Sequence, residues 1–488
     1  MTFARVRYKY AAHVVIGMCI VTFGVLLYSL RGLDFYYDEW DFVDKAEGWR
    51  FSDYFVPHQE HWSTVPMVIY RVLIGLNGMH SYLPFSATLL ALHCANAFLL
   101  FSIIRRRSGD ALGIAAAAVL LMLGRGSDDF IWAFQIGFSC SVFFGLIAVL
   151  LVDAERPTRR ALAGGSAALV LSLASSGEGL FFTGAVAVLL VLRSGAADGD
   201  ADRDGAADGA GDVAGDLAGT PWWRPARFRA AATVLAAPVV AYGIWYPLYG
   251  ASHADIARSP LSLKAASGLL SFVPTGLGAG MAGLAGADWQ KRWIGFAVFV
   301  LLFALACRRG RPAALAIALG VGAIAQFSMT GLVRAQFGIQ IAGASRYVYI
   351  AAVFLLPIVA EALRDIPWQA WWRVAVAGAA VVACWAGILS LSTTIEGRDQ
   401  QFARQKAMLQ TVWYDRNDPR LDPKAIIDPA DAPTLTVGLY IRTRTELGSP
   451  LPDLDAKGLA ALNADAVAEA RKNVLRGGAQ SGSEALAR

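Results

Sequence analysis

Apolar runs of about 20 residues recur along most of this chain, and that is the length needed to cross the hydrocarbon core of a bilayer. The first lies at 11–30. Others follow near 82–104, 109–125, 130–152, 160–176, 178–193, 229–249, 291–307, 312–332, 346–364 and 373–392, about eleven in all. In lipid a backbone must satisfy its own N–H and C=O groups, so such runs are helices or strands of a closed barrel. The in–out alternation of barrel strands is missing. The expected fold class is therefore an all-α polytopic transmembrane bundle. Composition agrees, with 56% of the 488 residues apolar, 17% charged and a mean hydropathy of +0.47.

Basic residues then orient the bundle. Arg5, Arg7 and Lys9 precede the first run and no small-x-small cleavage site follows it, which predicts an uncleaved anchor with a cytoplasmic N-terminus. Arg105 to Arg107, Arg156 with Arg159 and Arg160, Arg224 to Arg229, Arg308 and Arg309 with Arg311, and Arg364 to Arg373 all fall on loops predicted inside. The expected location is the cytoplasmic membrane, with the first long loop (31–81) and the C-terminus outside. The net charge of +5 suits an anionic lipid surface and calls for no nucleic acid. Cys19, Cys94, Cys140, Cys307 and Cys384 all lie within the runs and suggest no disulfide framework.

This divides the chain into an N-terminal transmembrane module (1–193), a cytoplasmic linker (194–228), a C-terminal transmembrane module (229–392) and an extracytoplasmic tail or small accessory module (393–488). The linker is Gly-, Ala- and Asp-rich and too poor in apolar side chains to fold. Residues 64–79 carry Arg71 at their centre and are short for a span, so a juxtamembrane helix is expected there. A second such element is expected at 260–285, and a short strand at 434–441.

The chemistry concentrates behind the first span, where "FYYDEWDFVDKAEGWRFSDYFVPHQEHW" (35–62) holds seven carboxylates, two histidines and many aromatic rings. Acidic residues on an external loop are often simply solvated. Asp38 and Glu39, however, sit only a few residues past the membrane among Phe35, Tyr36, Tyr37, Trp40 and Phe42, and partial desolvation of a carboxylate raises its pKa toward the range of a general base. In "PHQEHW" His58 and His61, with Glu60 between them, share a face if helical. They are either a hydrogen-bonded pair supporting the carboxylates or, with Asp38, ligands for a divalent metal. A helical zinc pair more often sits four apart, so no metal ligand set is assigned and a divalent metal stays an open alternative. Asp128, Asp129 and Gln135 in "GRGSDDFIWAFQIGF", Glu178 in "SSGEGLFF", and Arg346 with Tyr347 in "GASRYVYI" all fall at outer ends of later spans. Interfacial ionisable groups of this kind are functional candidates.

In "YYDEW" after the first span, "PHQEHW" ahead of a juxtamembrane helix, and "SRYVYIAAVFLLP" in a late span, the chain resembles the polytopic glycosyltransferases of the GT-C fold. The likeness covers roughly residues 1–392. It implies a polyprenyl-phosphate sugar donor, a glycan or lipid acceptor, Asp38 as catalytic base with Glu39 as neighbour or substitute, and Arg346 on the carrier phosphate with Arg334 as second choice. His58, Glu60, His61, Asp128, Asp129, Gln135, Glu178 and Tyr347 would line the donor and acceptor sites. A lipid-linked glycan flippase, an envelope polysaccharide polymerase or ligase, and a non-catalytic envelope scaffold are the competing readings. A transporter should show charges near the membrane midplane and related halves; the polar groups here gather at span ends.

Overall fold

A computed structural model describes residues 9–47, 50–154, 157–193, 225–251, 263–308, 313–365 and 369–475. Most of the expected linker, Arg156, Arg309 and Arg311 lie outside the described residues. The order is α1 (Ala11–Ser29), α2 (Glu39–Glu47), α3 (Thr64–Asn77), α4 (Leu83–Ser108), α5 (Asp110–Leu121), α6 (Asp128–Ile131), α7 (Ile136–Val152), α8 (Arg159–Leu173), α9 (Glu178–Arg193), α10 (Pro225–Trp245), α11 (Leu263–Leu284), α12 (Arg292–Cys307), α13 (Ala314–Arg334), α14 (Ser345–Leu363) and α15 (Ala370–Tyr414). A small module follows, with β1 (Ile426–Asp428) antiparallel to β2 (Ala432–Thr436), then α16 (Val437–Leu447), α17 (Ala456–Ala460) and α18 (Ala464–Val474).

Among the described residues eight helices are long and apolar enough to cross a membrane, which makes the chain a multi-pass helical membrane protein. Three of the expected spans are shorter: α5, α8 and α9 have 12, 15 and 16 residues. At 1.5 Å per residue α5 reaches only about 18 Å, because the chain turns at Gly124, where any side chain would collide with the Gly387 carbonyl of α15. The close approach of this turn to α15 requires glycine.

α14 is the axis of the bundle. Its apolar window is 83% buried, against 28% or less for the windows of α1, α10, α12 and α15. α4, α5, α11, α12 and α13 surround it. α11, in the region expected to lie on the outer surface, packs Gly280 against Ala351 and Leu355 and Gly283 against Val348, all in α14. Its Leu269 and Phe272 meet Gly331 near the end of α13.

The two ends of the bundle differ in chemistry. At one, Arg107 and Arg193 both pair with Asp153, Arg105 pairs with Asp110 at 2.9 Å, Arg364 pairs with Glu361 at 2.7 Å, and Ser108 donates to Glu361. At the other lie all the candidate site residues.

The tail departs most from expectation. α15 does not stop near 392 but runs 45 residues, about 68 Å, which is twice the thickness of a bilayer core. Its distal half carries the C-terminal module, with Phe402, Met408, Val412, Ile427, Leu435 and Val474 in its core. Only the first residues of the strand expected at 434–441 are extended. Thr436 accepts a hydrogen bond from the Leu439 N–H and starts α16. The module seats against the first loop through Trp40 on Tyr440, the Met79 N–H on the Leu447 carbonyl at 2.7 Å, and Arg442 on Asp44 at 2.8 Å.

Candidate active site

The chain leaving α1 is pinned before it reaches the acidic pair. Phe35 is buried edge-on against Tyr82 and Phe85. Tyr37 adopts a φ of +50°, a left-handed conformation uncommon for a bulky residue, and its N–H donates to the Asp431 carbonyl at 3.0 Å. Asp38 comes next, immediately before α2, and Asp41 follows one turn along. Across from them stands His58, with Nε2 3.9 Å from Asp38 Oδ2 and Nδ1 3.7 Å from Asp41 Oδ2. His58 is 3% exposed, clasped by the Phe42 and Phe134 rings, and its Nε2 has no hydrogen-bond partner. One donor atom each from Asp38, Asp41 and His58 lies within 4.8 Å of the others. Two carboxylates and an imidazole at that spacing fit a divalent cation, and neither carboxylate is within hydrogen-bond distance of the ring.

Glu39 faces the opposite way. It is fully buried, its Oε1 accepting from the Tyr70 and Tyr82 hydroxyls at 2.8 and 2.9 Å and its Oε2 from the Tyr36 N–H at 2.8 Å. Burial pushes its carboxyl up to about 8 despite these bonds, so it stays neutral at physiological pH. Expected beside Asp38 as neighbour or substitute, Glu39 is turned into the core, where it ties the loop to α3 and to the residue that starts α4.

"HQEH" is a tight turn rather than a helix. His58 and His61 exchange backbone hydrogen bonds at 3.2 and 3.0 Å, and Gln59 takes a φ of +52°. The histidines therefore serve separate partners. His61 Nδ1 accepts from the Gly177 N–H at 3.1 Å, where a side chain on Gly177 would intrude, and its Nε2 lies 3.7 Å from Glu60 Oε1. Arg334 donates to Glu60 and Gln59 at 2.6 and 3.0 Å. Burial works to raise the Glu60 carboxyl, but His61 and Arg334 outweigh it and hold it below its usual range. Glu178 opens α9 beside this group, 3% exposed and with Oε2 unpartnered.

The third group comes from the turn between α5 and α7. Asp128 pairs with Arg398 of α15 at 3.1 Å, and its N–H is received by Ser345 Oγ at the start of α14. Asp129 is fully buried with neither oxygen hydrogen-bonded; burial, then Asp128 and Glu178, push it well above the usual carboxylate range, opposed by Arg346. Arg346 stands at the head of α14, within electrostatic reach of Asp128 and Asp129. Tyr347 is 7% exposed beside it. Gln135 is buried with both side-chain atoms unpartnered. Buried polar atoms are rarely left so, and their concentration here is the mark of a binding site.

Aromatic rings join the three groups. Trp132 meets Tyr36, Tyr37 and Phe134 at 5.6, 6.4 and 4.9 Å, Phe134 meets His58 at 5.1 Å, and Phe138 meets His61 at 5.3 Å. Arg398 lies over Tyr36 and Trp132 at 4.9 and 5.9 Å. Two members of the site were not anticipated. Asp41 was signalled by its spacing of three from Asp38. Arg398 was signalled only by helical periodicity that continues past the apolar part of α15.

No protein-family model matches the chain, and no curated protein matches it. Among solved structures it is similar to the archaeal oligosaccharyltransferase AglB from Archaeoglobus fulgidus, in complex with an inhibitory peptide and a dolichol-phosphate, at 13% identity and a TM-score of 0.48 over 92% of this chain and 61% of that one. The chain spans less than two thirds of that protein's length. The functional reading below rests on this chain's own residues.

Proposed function

We propose that the protein is an inverting membrane glycosyltransferase of the GT-C kind, moving a sugar from a polyprenyl-phosphate carrier to a glycan or lipid acceptor of the cell envelope at the outer face of the cytoplasmic membrane. Asp38 takes the proton of an acceptor hydroxyl as that oxygen bonds to the anomeric carbon, and the bond from that carbon to the carrier phosphate breaks with its electron pair leaving on the phosphate. A placed base of this kind contributes about 10²–10⁴ in rate. Arg346 and Arg398, presented by two different helices, meet the phosphate, since a guanidinium fork suits its oxygens. Asp128, Asp129, Gln135 and Glu178 hydrogen-bond sugar hydroxyls against Trp132, Tyr347 and their neighbours. A divalent cation on Asp38, Asp41 and His58 would supply further positive charge for the leaving phosphate.

The observation that carries this reading is that the Asp38–His58 pair and the Arg398–Asp128 pair flank a single aromatic wall, Trp132 and Phe134, at one end of the bundle. The test is incubation of the purified protein with labelled polyprenyl-phosphate sugars and envelope lipid extract. Transfer of label to an acceptor supports the reading. Transbilayer movement of the intact labelled lipid without transfer would replace it with a flippase.

A further inference from the structure

The helix that backs the acidic loop has two apolar faces. α3 buries Met67, Tyr70, Arg71 and Ile74 against the protein, yet exposes Val68, Val72, Gly75 and Leu76, a stripe at i, i+4, i+7 and i+8 with Val72 53% and Leu76 83% exposed. The short turn Phe51–Tyr54 lies alongside, and Phe51 is 77% exposed. Between turn and helix runs a groove of about 560 Å³, walled by Phe51, Tyr54, Phe55, Val68, Leu76 and Arg71. An apolar surface of this kind on a helix beside membrane spans is suited to lipid rather than water.

Arg71 gives the groove its sign. It is 5% exposed, its Nη2 donates to the Lys45 carbonyl at 2.9 Å, and its guanidinium lies 3.8 Å from the Tyr54 ring, yet Nε and Nη1 have no hydrogen-bond partner. Among the described residues no carboxylate pairs with it. A buried cation without a counter-charge is costly, and an arriving anion relieves that cost. Two unpartnered nitrogens, Nε and Nη1, on one guanidinium match phosphate oxygens.

We propose that this groove binds an anionic phospholipid of the adjoining leaflet, its chain between the turn and α3 and its phosphate on Arg71. The site is separate from the catalytic groups but mechanically joined to them. The Lys45 carbonyl that Arg71 holds is near the end of α2, whose opposite end carries Asp38 and Asp41, and Lys45 Nζ reaches the Pro57 carbonyl next to His58 at 3.5 Å.

The test uses the full-length protein in phosphatidylcholine vesicles doped with spin-labelled phosphatidylglycerol or spin-labelled phosphatidylcholine, reading the immobilised lipid fraction. Wild type should prefer phosphatidylglycerol by about tenfold. Arg71→Gln should remove the preference, and Val72→Trp, which fills the groove and keeps the arginine, should remove it as well, so the outcome does not depend on the first variant folding. Equal uptake of the two lipids by wild type would overturn the proposal, as would a preference that survives both substitutions. Displacement of phosphatidylglycerol only by polyprenyl phosphate would assign the groove to the sugar carrier and overturn it too.

Discussion

The Tyr37 N–H donates to the Asp431 carbonyl at 3.0 Å, joining residues almost 400 positions apart, and it does so while Tyr37 holds a left-handed φ of +50° directly ahead of Asp38. A non-glycine residue in that region persists only when its surroundings over-determine it, at a cost of about 1–3 kcal/mol. Gln401 and Arg404 of α15 fix the Asp431 carboxylate at 2.7 and 3.2 Å, and Arg404 also grips Asp428 and Glu469. The C-terminal module thus braces the backbone that aims Asp38.

Arg404→Ala should therefore lower turnover by roughly tenfold, the ~1.4 kcal/mol expected from a loosened brace, while donor affinity holds. Steady-state kinetics separating kcat from KM check this. Unchanged kcat would mean that the loop holds its own shape.

Glu39→Gln should leave the fold and most of the turnover in place. The amide is isosteric with the neutral acid that burial imposes, and it can accept from the Tyr36 N–H while donating to a tyrosine oxygen. Loss of turnover in a well-folded Glu39→Gln protein would return Glu39 to the chemistry.

Arg398→Ala should weaken the binding of polyprenyl phosphate by roughly 10- to 100-fold, the range for a hydrogen bond to a charged group. Titration calorimetry with the carrier alone measures it. Affinity equal to wild type would leave Arg398 as a structural partner of Asp128 only.

Asp34 supplies a pH test. It is 3% exposed, and burial raises its carboxyl from 3.8 to about 6 although it accepts the Phe35 N–H and lies near Lys406 and Arg444. The folded state binds the proton more tightly than the unfolded chain, so the stabilisation is complete below pH 3.8 and is lost as pH rises through 6. The loss totals about 3 kcal/mol at about 1.4 kcal/mol per unit. Asp34→Asn, which keeps the acceptor, should flatten the melting-temperature profile between pH 4 and 6. Parallel profiles for the two proteins would contradict the shift.

The helical membrane bundle was legible because lipid imposes a length and an apolar pattern that side chains must report, and the basic ends of α4, α9 and α14 carry their own signal. The acidic loop was legible from the density of carboxylates and rings at 35–62. Glu39 and Asp38 looked alike in sequence because adjacent residues at a helix start point to different sides, and only tertiary packing decides which side is the core. "HQEH" carried no sign of its turn, since Gln59 is not a residue that announces positive φ. Arg398 was hidden because the helical pattern after the last apolar run does not show that it continues the span unbroken and brings position 398 back over Tyr36 and Trp132.

Asp38→Asn in transfer from labelled polyprenyl-phosphate sugar measures the central claim most directly. Loss of turnover by at least 100-fold is expected, the lower end of what a general base supplies, with carrier binding and melting temperature kept at wild-type values. Turnover within a few-fold of wild type would remove Asp38 as the base.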